Sequence, residues 1–150
     1  MTATTIIGID PGATGAIAAI HPSLWAPFDE PDVFDMPATA ADLVGVLSRW
    51  HDQGVQVFLE QAQSMPGQGV ASTFKYGVGF GQILGVLAAL GIAHRQVSPA
   101  VWKRQMGVTK DKDKARALAQ QLFPTASLAR VKDHGRAEAL LIAEWGRRHG

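Results

Sequence analysis

Residues 5–20, TIIGIDPGATGAIAAI, decide the fold because two apolar runs flank a turn. The first run, residues 5–10, is rich in β-branched side chains and ends at Asp10, as a strand would. Pro11 and Gly12 then turn the chain, and residues 15–20 continue as a second strand. The segment therefore predicts a hairpin with an acid at the end of its first strand.

Strands and helices are mixed along the rest of the chain. Further strands are expected near Val33 and over residues 55–60 and 93–97, with helices over residues 40–53 and 70–90. Three more helices are expected: one from Pro99 after the N-cap Ser98, one from Asp111 or Asp113 to a point before Pro124, and one from residues 133–135 to Trp145. The order predicts an α/β fold built on a mixed sheet.

The composition is that of a folded domain without disulfides. Its 150 residues are 47% hydrophobic and 18% charged, which supplies a core and excludes an intrinsically disordered chain. The absence of cysteine excludes disulfides and thiolate zinc sites. The N-terminal residues lack a signal-peptide pattern, and no apolar run reaches the roughly 18 residues of a membrane span. We therefore expect one cytoplasmic domain over residues 1–150 and no membrane partner.

Charge is divided unevenly between the two halves of the chain. Residues 1–74 contain eight acidic side chains and one basic side chain, whereas residues 75–150 contain five acidic and thirteen basic side chains. A basic half is typical either of a protein that binds nucleic acid or of an ordinary solvated helix surface. Charge alone leaves these two interpretations equally open.

Three acidic positions are candidates for a catalytic site. Asp10 and Glu60 each close a strand, where a rigid scaffold often holds catalytic groups. The third is Glu138 in DHGRAEALLIA, residues 133–143, a helix that Asp133 and His134 open. His134 and Glu138 share a helix face because they are four residues apart. For Asp10 or Glu60 alone, the alternative is a turn or helix-capping residue, and for the third motif it is an N-cap acid followed by an exposed Glu138.

Carboxylates that converge from distant positions suit a metal-dependent nuclease. Phosphodiester hydrolysis needs an activated water and a stabilised leaving oxygen, and two divalent ions about 4 Å apart can supply both. Mg²⁺ prefers hard oxygen ligands, and Mn²⁺ accepts the same set. Three or four acids meeting from separate elements would fit that requirement.

Four stretches together resemble the RuvC-like Holliday junction resolvases, in particular the compact versions of bacteriophages. They are GIDPGATGAIAAI at residues 8–20, FLEQ at 58–61, the segment 97–124 that begins VSPAVWKRQ, and DHGRAEALLIA at 133–143. They occur in the expected order. The resemblance implies a ribonuclease H-like fold with a five-stranded mixed sheet flanked by helices. It also implies a homodimeric endonuclease that resolves four-way junctions by paired symmetric nicks in DNA recombination and repair.

The resemblance implies a metal site as well. Asp10 corresponds to the acid of the first strand, Glu60 to the acid before Gln in FLEQ, and Glu138 to the final acid of the last helix. Two Mg²⁺ ions, with Mn²⁺ as a substitute, are expected there, and no nucleotide cofactor.

The fourth ligand is where this chain departs from its bacterial relatives. They place it three residues before the final acid, where this sequence has Gly135. Asp133 and His134 are the candidates to replace it. Helix geometry favours His134 and magnesium chemistry favours Asp133, with Asp133 slightly preferred as the ligand and both retained as catalytic candidates.

The loop after Glu60 is a second departure. Bacterial relatives often carry an aromatic residue there that wedges into the junction, whereas this chain has Met65, with Phe74 and Tyr76 further on. Met65 is the candidate wedge. Because this position differs, the strictness of junction preference is also open.

Basic side chains in the second half are expected to contact DNA phosphates. The candidates are Lys75, Lys103, Arg104, Lys110, Lys112, Lys114 and Arg136. The alternative is a solvated helix face on which Asp111 and Asp113 offset the lysines. Trp50 and Trp102 are expected in the core rather than as platforms for bases.

Gly77, Gly81 and Gly85 recur at a spacing of four, so they share one face of the helix over residues 70–90. A smooth glycine face lets another backbone come close. It would pack either against the sheet of the same domain or against a second helix in a dimer.

Three other functions fit parts of the sequence. DPGATG at residues 10–15 is similar to the phosphate loop of actin-like ATPases, but those proteins pair two lobes and no second phosphate loop is apparent. A different ribonuclease H-like nuclease, acting on flaps, forks or RNA–DNA hybrids, would use the same acids. A non-catalytic module that binds DNA junctions is the third possibility, and the intact acids argue against it.

Overall fold

One mixed sheet organises the computed structural model, which describes residues 4–21, 30–63 and 67–150. Its strands are β1 (Ile6–Asp10), β2 (Ala16–Ile20), β3 (Asp32–Asp35), β4 (Gln56–Glu60) and β5 (His94–Val97), in the spatial order β3-β2-β1-β4-β5. β2 lies between β1 and β3 and pairs antiparallel with both, whereas β4 pairs parallel with β1 and with β5. The predicted hairpin and five-stranded mixed sheet are confirmed.

Within the described residues, five α-helices flank the sheet: α1 (Ala40–Leu47), α2 (Val70–Ala89), α3 (Pro99–Gln105), α4 (Lys112–Leu122) and α5 (His134–His149). Two of the helices begin at a side-chain cap. The Thr39 hydroxyl accepts a hydrogen bond from the backbone N–H of Asp42, and the Asp111 carboxylate accepts from the first-turn amides of α4.

Two predicted helix ends are wrong. α1 ends at Leu47 rather than at residue 53, because the chain tightens into a 3₁₀ turn, Ser48–Trp50, that buries Trp50. α5 continues to His149, beyond the expected end at Trp145. The buried Glu144 carboxylate binds Arg147 and Arg148 in this extra turn, which offsets the cost of extending the helix.

Each face of the sheet carries its own core, because successive side chains of a strand point to opposite faces. One core joins α1 and α2 to Ile7, Ile9 and Leu59. The other joins α3, α4 and α5 to the opposite face, where Phe58 lies and where Trp102 is fully buried. Trp50 and Trp102 are therefore core residues, as predicted.

α5 lies directly on β1, and Gly8 makes this possible. A Cβ atom at Gly8 would come within 2.5 Å of the Ala143 nitrogen and closer still to the Ala139 carbonyl oxygen. Any side chain there would push the helix off the sheet. The close approach brings the first turns of α5 to the end of β1, where Asp10 lies.

The glycine face of α2 points away from the sheet. A Cβ atom at Gly77, Gly81 or Gly85 would meet nothing within 4 Å in the described part of the chain. α2 instead packs through the buried Ile83, Val86 and Leu87. Of the two interpretations of this face, packing against the domain's own sheet is wrong.

Candidate metal centre

Neighbouring parallel strands place two of the candidate acids side by side. Ile9 of β1 pairs with Leu59 of β4. Asp10 and Glu60 are the next residues of these two strands, so they lie side by side at the same edge of the sheet. Asp10 lies two residues after Gly8, and Glu60 lies two residues after Phe58. Because alternate residues of a strand share a face, both acidic side chains project to the face that α5 covers. The strand register thus brings together two acids that are fifty positions apart in sequence.

Glu138, in the second turn of α5, completes the cluster. Carboxylate oxygens of Asp10, Glu60 and Glu138 all lie within 4.8 Å of one another. Asp10 and Glu138 are buried, with only 8% and 9% of their surface exposed, and Glu60 is half-buried. The structure therefore brings together the three acids that the sequence motifs predicted.

The electrostatics of this cluster favour a cation. Burial raises the pKa of Asp10 well above its usual range, and the negative charges of Glu138 and Glu60 raise it further. Burial and Glu138 also raise the pKa of Glu60. Three hard oxygen donors in a partly dehydrated site match the ligands of Mg²⁺ or Mn²⁺, and a divalent ion would offset their mutual repulsion. The donor set therefore fits a metal centre.

Two residues of α3 hold the cluster in place. The Trp102 indole Nε1–H donates to Glu60 Oε2 at 2.7 Å, which opposes the rise in the pKa of Glu60. The Lys103 ammonium lies 3.6 Å from Glu138 Oε1 and 5.5 Å from the centre of the Trp102 ring. Sequence reasoning placed Trp102 in the core but missed this hydrogen bond, because no local pattern marks a contact across 42 residues.

Tyr76 was also missed as a site residue. α2 brings its ring against the turn after β1, where a Cβ atom on Gly12 would lie 3.5 Å from Tyr76 Cε2. Burial, with the nearby charges of Glu60 and Asp10, raises the pKa of the Tyr76 phenol to about 12. The phenol therefore stays protonated and can act as a hydrogen-bond donor next to the cluster.

Asp133 is buried outside this cluster. Its carboxylate accepts from the Arg130 guanidinium at 2.8 Å and from the Arg130 backbone N–H at 2.9 Å. These hydrogen bonds hold its pKa below the usual range. His134 is half-buried at the first residue of α5 and does not join the three clustered carboxylates either. The structure thus brings neither candidate for the fourth ligand to the metal centre.

Gly135 cannot carry a ligand in this fold. A Cβ atom there would overlap the Thr14 carbonyl oxygen and lie 3.1 Å from the Gly15 Cα. α5 therefore begins pressed against the backbone of the β1–β2 turn. The same contact that brings α5 to Asp10 therefore leaves no room for a side chain at this position.

The candidate DNA-binding residues occupy different surroundings. Arg104, Lys110, Lys112 and Lys114 are exposed around the connection from α3 to α4, and Lys75 is exposed on α2. Arg136 is instead held by Asp35, whose two oxygens accept from Nε at 2.7 Å and from Nη2 at 2.9 Å. The candidate wedge, Met65, lies outside the described residues.

Solved structures identify the class of fold. Thermus thermophilus RuvC in complex with a Holliday junction substrate matches with a TM-score of 0.65 at 19% identity, over 97% of this chain and 95% of that chain. Another Thermus thermophilus RuvC structure matches with a TM-score of 0.60 at 21% identity, over 97% and 96% of the two chains. The fold is ribonuclease H-like, as predicted.

A relative in sequence supports the same comparison. The chain is 36% identical over 92 residues to the chloroplastic Holliday junction resolvase MOC1 of Chlamydomonas reinhardtii. The match covers 59% of this chain but only 10% of that protein. No protein-family model matches the sequence. The resemblance to RuvC-like resolvases is therefore confirmed in part of the sequence and in the fold.

None of the helices in the described ranges combines the length and hydropathy needed to cross a lipid bilayer.

Proposed function

We propose that this chain is a metal-dependent endonuclease that resolves four-way DNA junctions by paired, symmetric nicks. The observation that carries the proposal is the cluster of Asp10, Glu60 and Glu138, placed by strand register and by α5 on a RuvC-like fold. The similarity to a named Holliday junction resolvase, MOC1, supports the substrate class. We infer that the described residues act as one nuclease domain within residues 1–150.

Each residue of the cluster has a separate role in the proposed reaction. Asp10 and Glu60 would hold divalent ions at the sheet edge, with Trp102 fixing one Glu60 oxygen so that the other can bind. Glu138 would contribute the third carboxylate from α5. Two Mg²⁺ ions, or Mn²⁺ in their place, would supply an activated water and stabilise the leaving oxygen.

Lys103 would act next to the carboxylates. Its ammonium faces Glu138 and is only partly exposed, with 24% of its side chain accessible. A cation at this position can pair with a phosphate oxygen of the strand being cut. Because the carboxylates and the phosphate are both anionic, the ammonium can exchange one partner for the other. Lys103 is thus proposed to guide the scissile phosphate into the cluster.

We infer that three carboxylates form the core of the metal site. Asp133 would become a ligand only after it leaves Arg130, which would break three charge-assisted hydrogen bonds from the guanidinium as well as the backbone one. His134 starts α5 close to the cluster in sequence and is the other candidate to complete it. Either residue would then act after a local rearrangement of the α5 N-terminus.

A homodimer is part of the proposal, because two symmetric nicks require two sites. The support is the outward face of α2, where Val70, Phe74 and Val78 are exposed beside the glycines. Val70 and Phe74 have 89% and 71% of their surfaces accessible. Sedimentation should therefore detect a dimer at micromolar concentration. A single species near the chain mass of 16.0 kDa would contradict this part of the proposal.

Positive charge beyond the cluster would hold the arms of the junction. Arg104, Lys110, Lys112 and Lys114 are exposed and free to reach phosphates, whereas Arg136 would first have to leave Asp35. The proposed site of action is the cytoplasm of a bacterium or of a phage-infected cell, where recombining DNA is present.

Cleavage of a labelled four-way junction, beside a duplex, a flap and an RNA–DNA hybrid, tests the proposal. We expect paired nicks in the junction with Mg²⁺ or Mn²⁺, none with EDTA, and none with Asp10→Asn or Glu60→Gln. An exposed acid, changed in Asp52→Asn, is the matched control and should leave cleavage unchanged.

The other outcomes separate the alternative functions. Metal-dependent cleavage of flaps or hybrids would retain the metal centre and change the substrate. Tight junction binding without cleavage would favour a non-catalytic module. Full activity of Asp10→Asn would remove Asp10 from the metal centre.

A further inference from the structure

Arg136, in the first turn of α5, is bound by a carboxylate from the edge strand β3. Its Nε and Nη2 donate to the two oxygens of Asp35 at 2.7 Å and 2.9 Å. The same two-bond geometry is the one with which an arginine binds two oxygens of a phosphate. Asp35 therefore occupies the place that a phosphate group would take on this guanidinium.

Strand register places this ion pair in line with the metal centre. Asp35 of β3 pairs with Ala16 of β2, and Ala16 pairs with Asp10 of β1. Because paired residues share a face of the sheet and neighbouring strands lie about 4.8 Å apart, Asp35 lies about 10 Å from Asp10 on the face that α5 covers. Arg136 precedes Glu138 by two residues, a rise of about 3 Å along the helix. A phosphate bound by Arg136 would therefore be about three nucleotides from one held at the carboxylates.

Two carboxylates of the described residues lie within 3.9 Å of Arg136 Nε, and they differ in exposure. Asp35 has 69% of its side chain exposed, whereas Asp133 has 3% exposed and is already held by Arg130. An exposed ion pair costs little to break because water solvates the released charge, whereas a buried carboxylate that loses its partner is strongly destabilised. Arg136 itself is only 22% exposed, and its Nη1 donates to the Ser127 carbonyl oxygen at 3.4 Å. Asp35 is therefore the partner that can move into water while the guanidinium keeps its position.

We propose that Arg136 exchanges Asp35 for a backbone phosphate of the bound DNA, about three nucleotides from the phosphate being cut. Asp35 is then a competitor built into the chain: it orients the guanidinium before DNA binds and lowers the affinity for DNA. The inference rests on the proposed function, because it assigns a second phosphate subsite to the same enzyme. The exchange acts on binding, so the rate of cutting in the saturated complex should not depend on Asp35.

Removal of the competing charge is the first test. Junction binding is measured in EDTA, where no cleavage is expected. Asp35→Asn should tighten binding by up to about fivefold, the change that corresponds to one exposed ion pair that no longer has to be broken. Asp32→Asn is the matched control, because Asp32 is an exposed acid of the same strand that pairs with His21 rather than with an arginine. It should bind the junction nearly as the unmodified chain does.

A scan with neutral phosphates locates the contact on the DNA. Each phosphate near the cut is replaced in turn by an uncharged methylphosphonate. At one position, about three nucleotides from the cut, the replacement should weaken binding of the unmodified chain and remove the gain of Asp35→Asn. Arg136→Met should show no further loss at that position, and its slope of log K against log salt should be smaller by about 0.9. The scan with Asp35→Asn gives the answer even if Arg136→Met fails to fold.

The possible failures are distinguishable. If the unmodified chain neither binds nor cuts the junction, the proposed function fails. If it binds and cuts, but Asp35→Asn binds no more tightly than Asp32→Asn, the exchange is overturned and the nuclease stands. A gain in Asp35→Asn that persists with every methylphosphonate would be a general effect of negative charge and would also overturn the exchange. The expected gain and its loss at one phosphate, without cleavage once Mg²⁺ is added, would support the exchange and remove the nuclease activity.

Discussion

Asp10→Asn should stabilise the metal-free protein while removing its response to divalent ions. Asp10 is buried, and its carboxylate lies within 4.8 Å of those of Glu60 and Glu138. At a separation of 4.8 Å and an effective dielectric constant of about 20, two ionised carboxylates repel each other by about 3.5 kcal/mol. Protonation and the nearby Lys103 relieve part of this repulsion.

The sign of the pH dependence follows from the direction of the pKa shift. Burial and the neighbouring acids raise the pKa of Asp10 in the folded state, so the folded protein holds this proton more tightly than the unfolded chain. The resulting stabilisation is fully present below the ordinary carboxyl pKa and is lost as pH rises through the raised value. The asparagine amide does not titrate in this range, and the variant should therefore avoid the loss.

We expect Asp10→Asn to increase the free energy of unfolding in EDTA at about pH 8 by about 1 kcal/mol or more, with a smaller gain at about pH 5. For a chain of this size, a gain of about 1 kcal/mol corresponds to a rise in Tm of about 2–4 °C. With Mg²⁺ at a hundred times its Kd, the unmodified protein should gain about 2.7 kcal/mol, whereas the variant should gain much less.

Thermal unfolding followed by circular dichroism, with EDTA and then with Mg²⁺ at both pH values, measures these differences. Asp52→Asn, at an aspartate with 86% of its side chain exposed, is the control and should leave both the Tm and its Mg²⁺ response nearly unchanged. A Tm for Asp10→Asn below that of the unmodified protein in EDTA would refute the repulsion argument. An undiminished Mg²⁺ shift in the variant would refute the role of Asp10 as a ligand.

Three further changes test other parts of the structure. Trp102→Phe removes the donor to Glu60 Oε2, so the pKa of Glu60 should rise and the pH of half-maximal cleavage should move upward; an unchanged pH–rate profile would contradict this. Gly135→Ala should destabilise the fold by about 1–3 kcal/mol in urea unfolding, because its Cβ would overlap the Thr14 carbonyl oxygen, whereas Gly45→Ala should not destabilise it. Lys110→Ala should reduce the slope of log K against log salt for junction binding by about 0.9 if Lys110 contacts one phosphate, and an unaltered slope would exclude that contact.

Local sequence patterns determined most of the secondary structure and three members of the metal centre. The β-branched apolar run before Asp10, the short strand before Glu60 and the caps at Thr39 and Asp111 each depend on a few neighbouring residues. Helix and strand preferences act at this range, so such patterns can be interpreted without a tertiary structure. Asp10, Glu60 and Glu138 could be proposed as one site because the motifs that contain them resemble those of the RuvC-like resolvases and occur in the expected order.

The tertiary structure decided which polar groups meet across long distances in the sequence. Trp102 reaches Glu60, and Tyr76 reaches Gly12, through side-chain packing that no short pattern encodes. Asp133 had the right chemistry for a magnesium ligand, but Arg130 holds its carboxylate. The need for glycine at position 135 is explained only by the backbone of the β1–β2 turn, against which α5 packs. Periodicity sets which face of an element a residue occupies, whereas close packing between elements decides which partner that residue finds there.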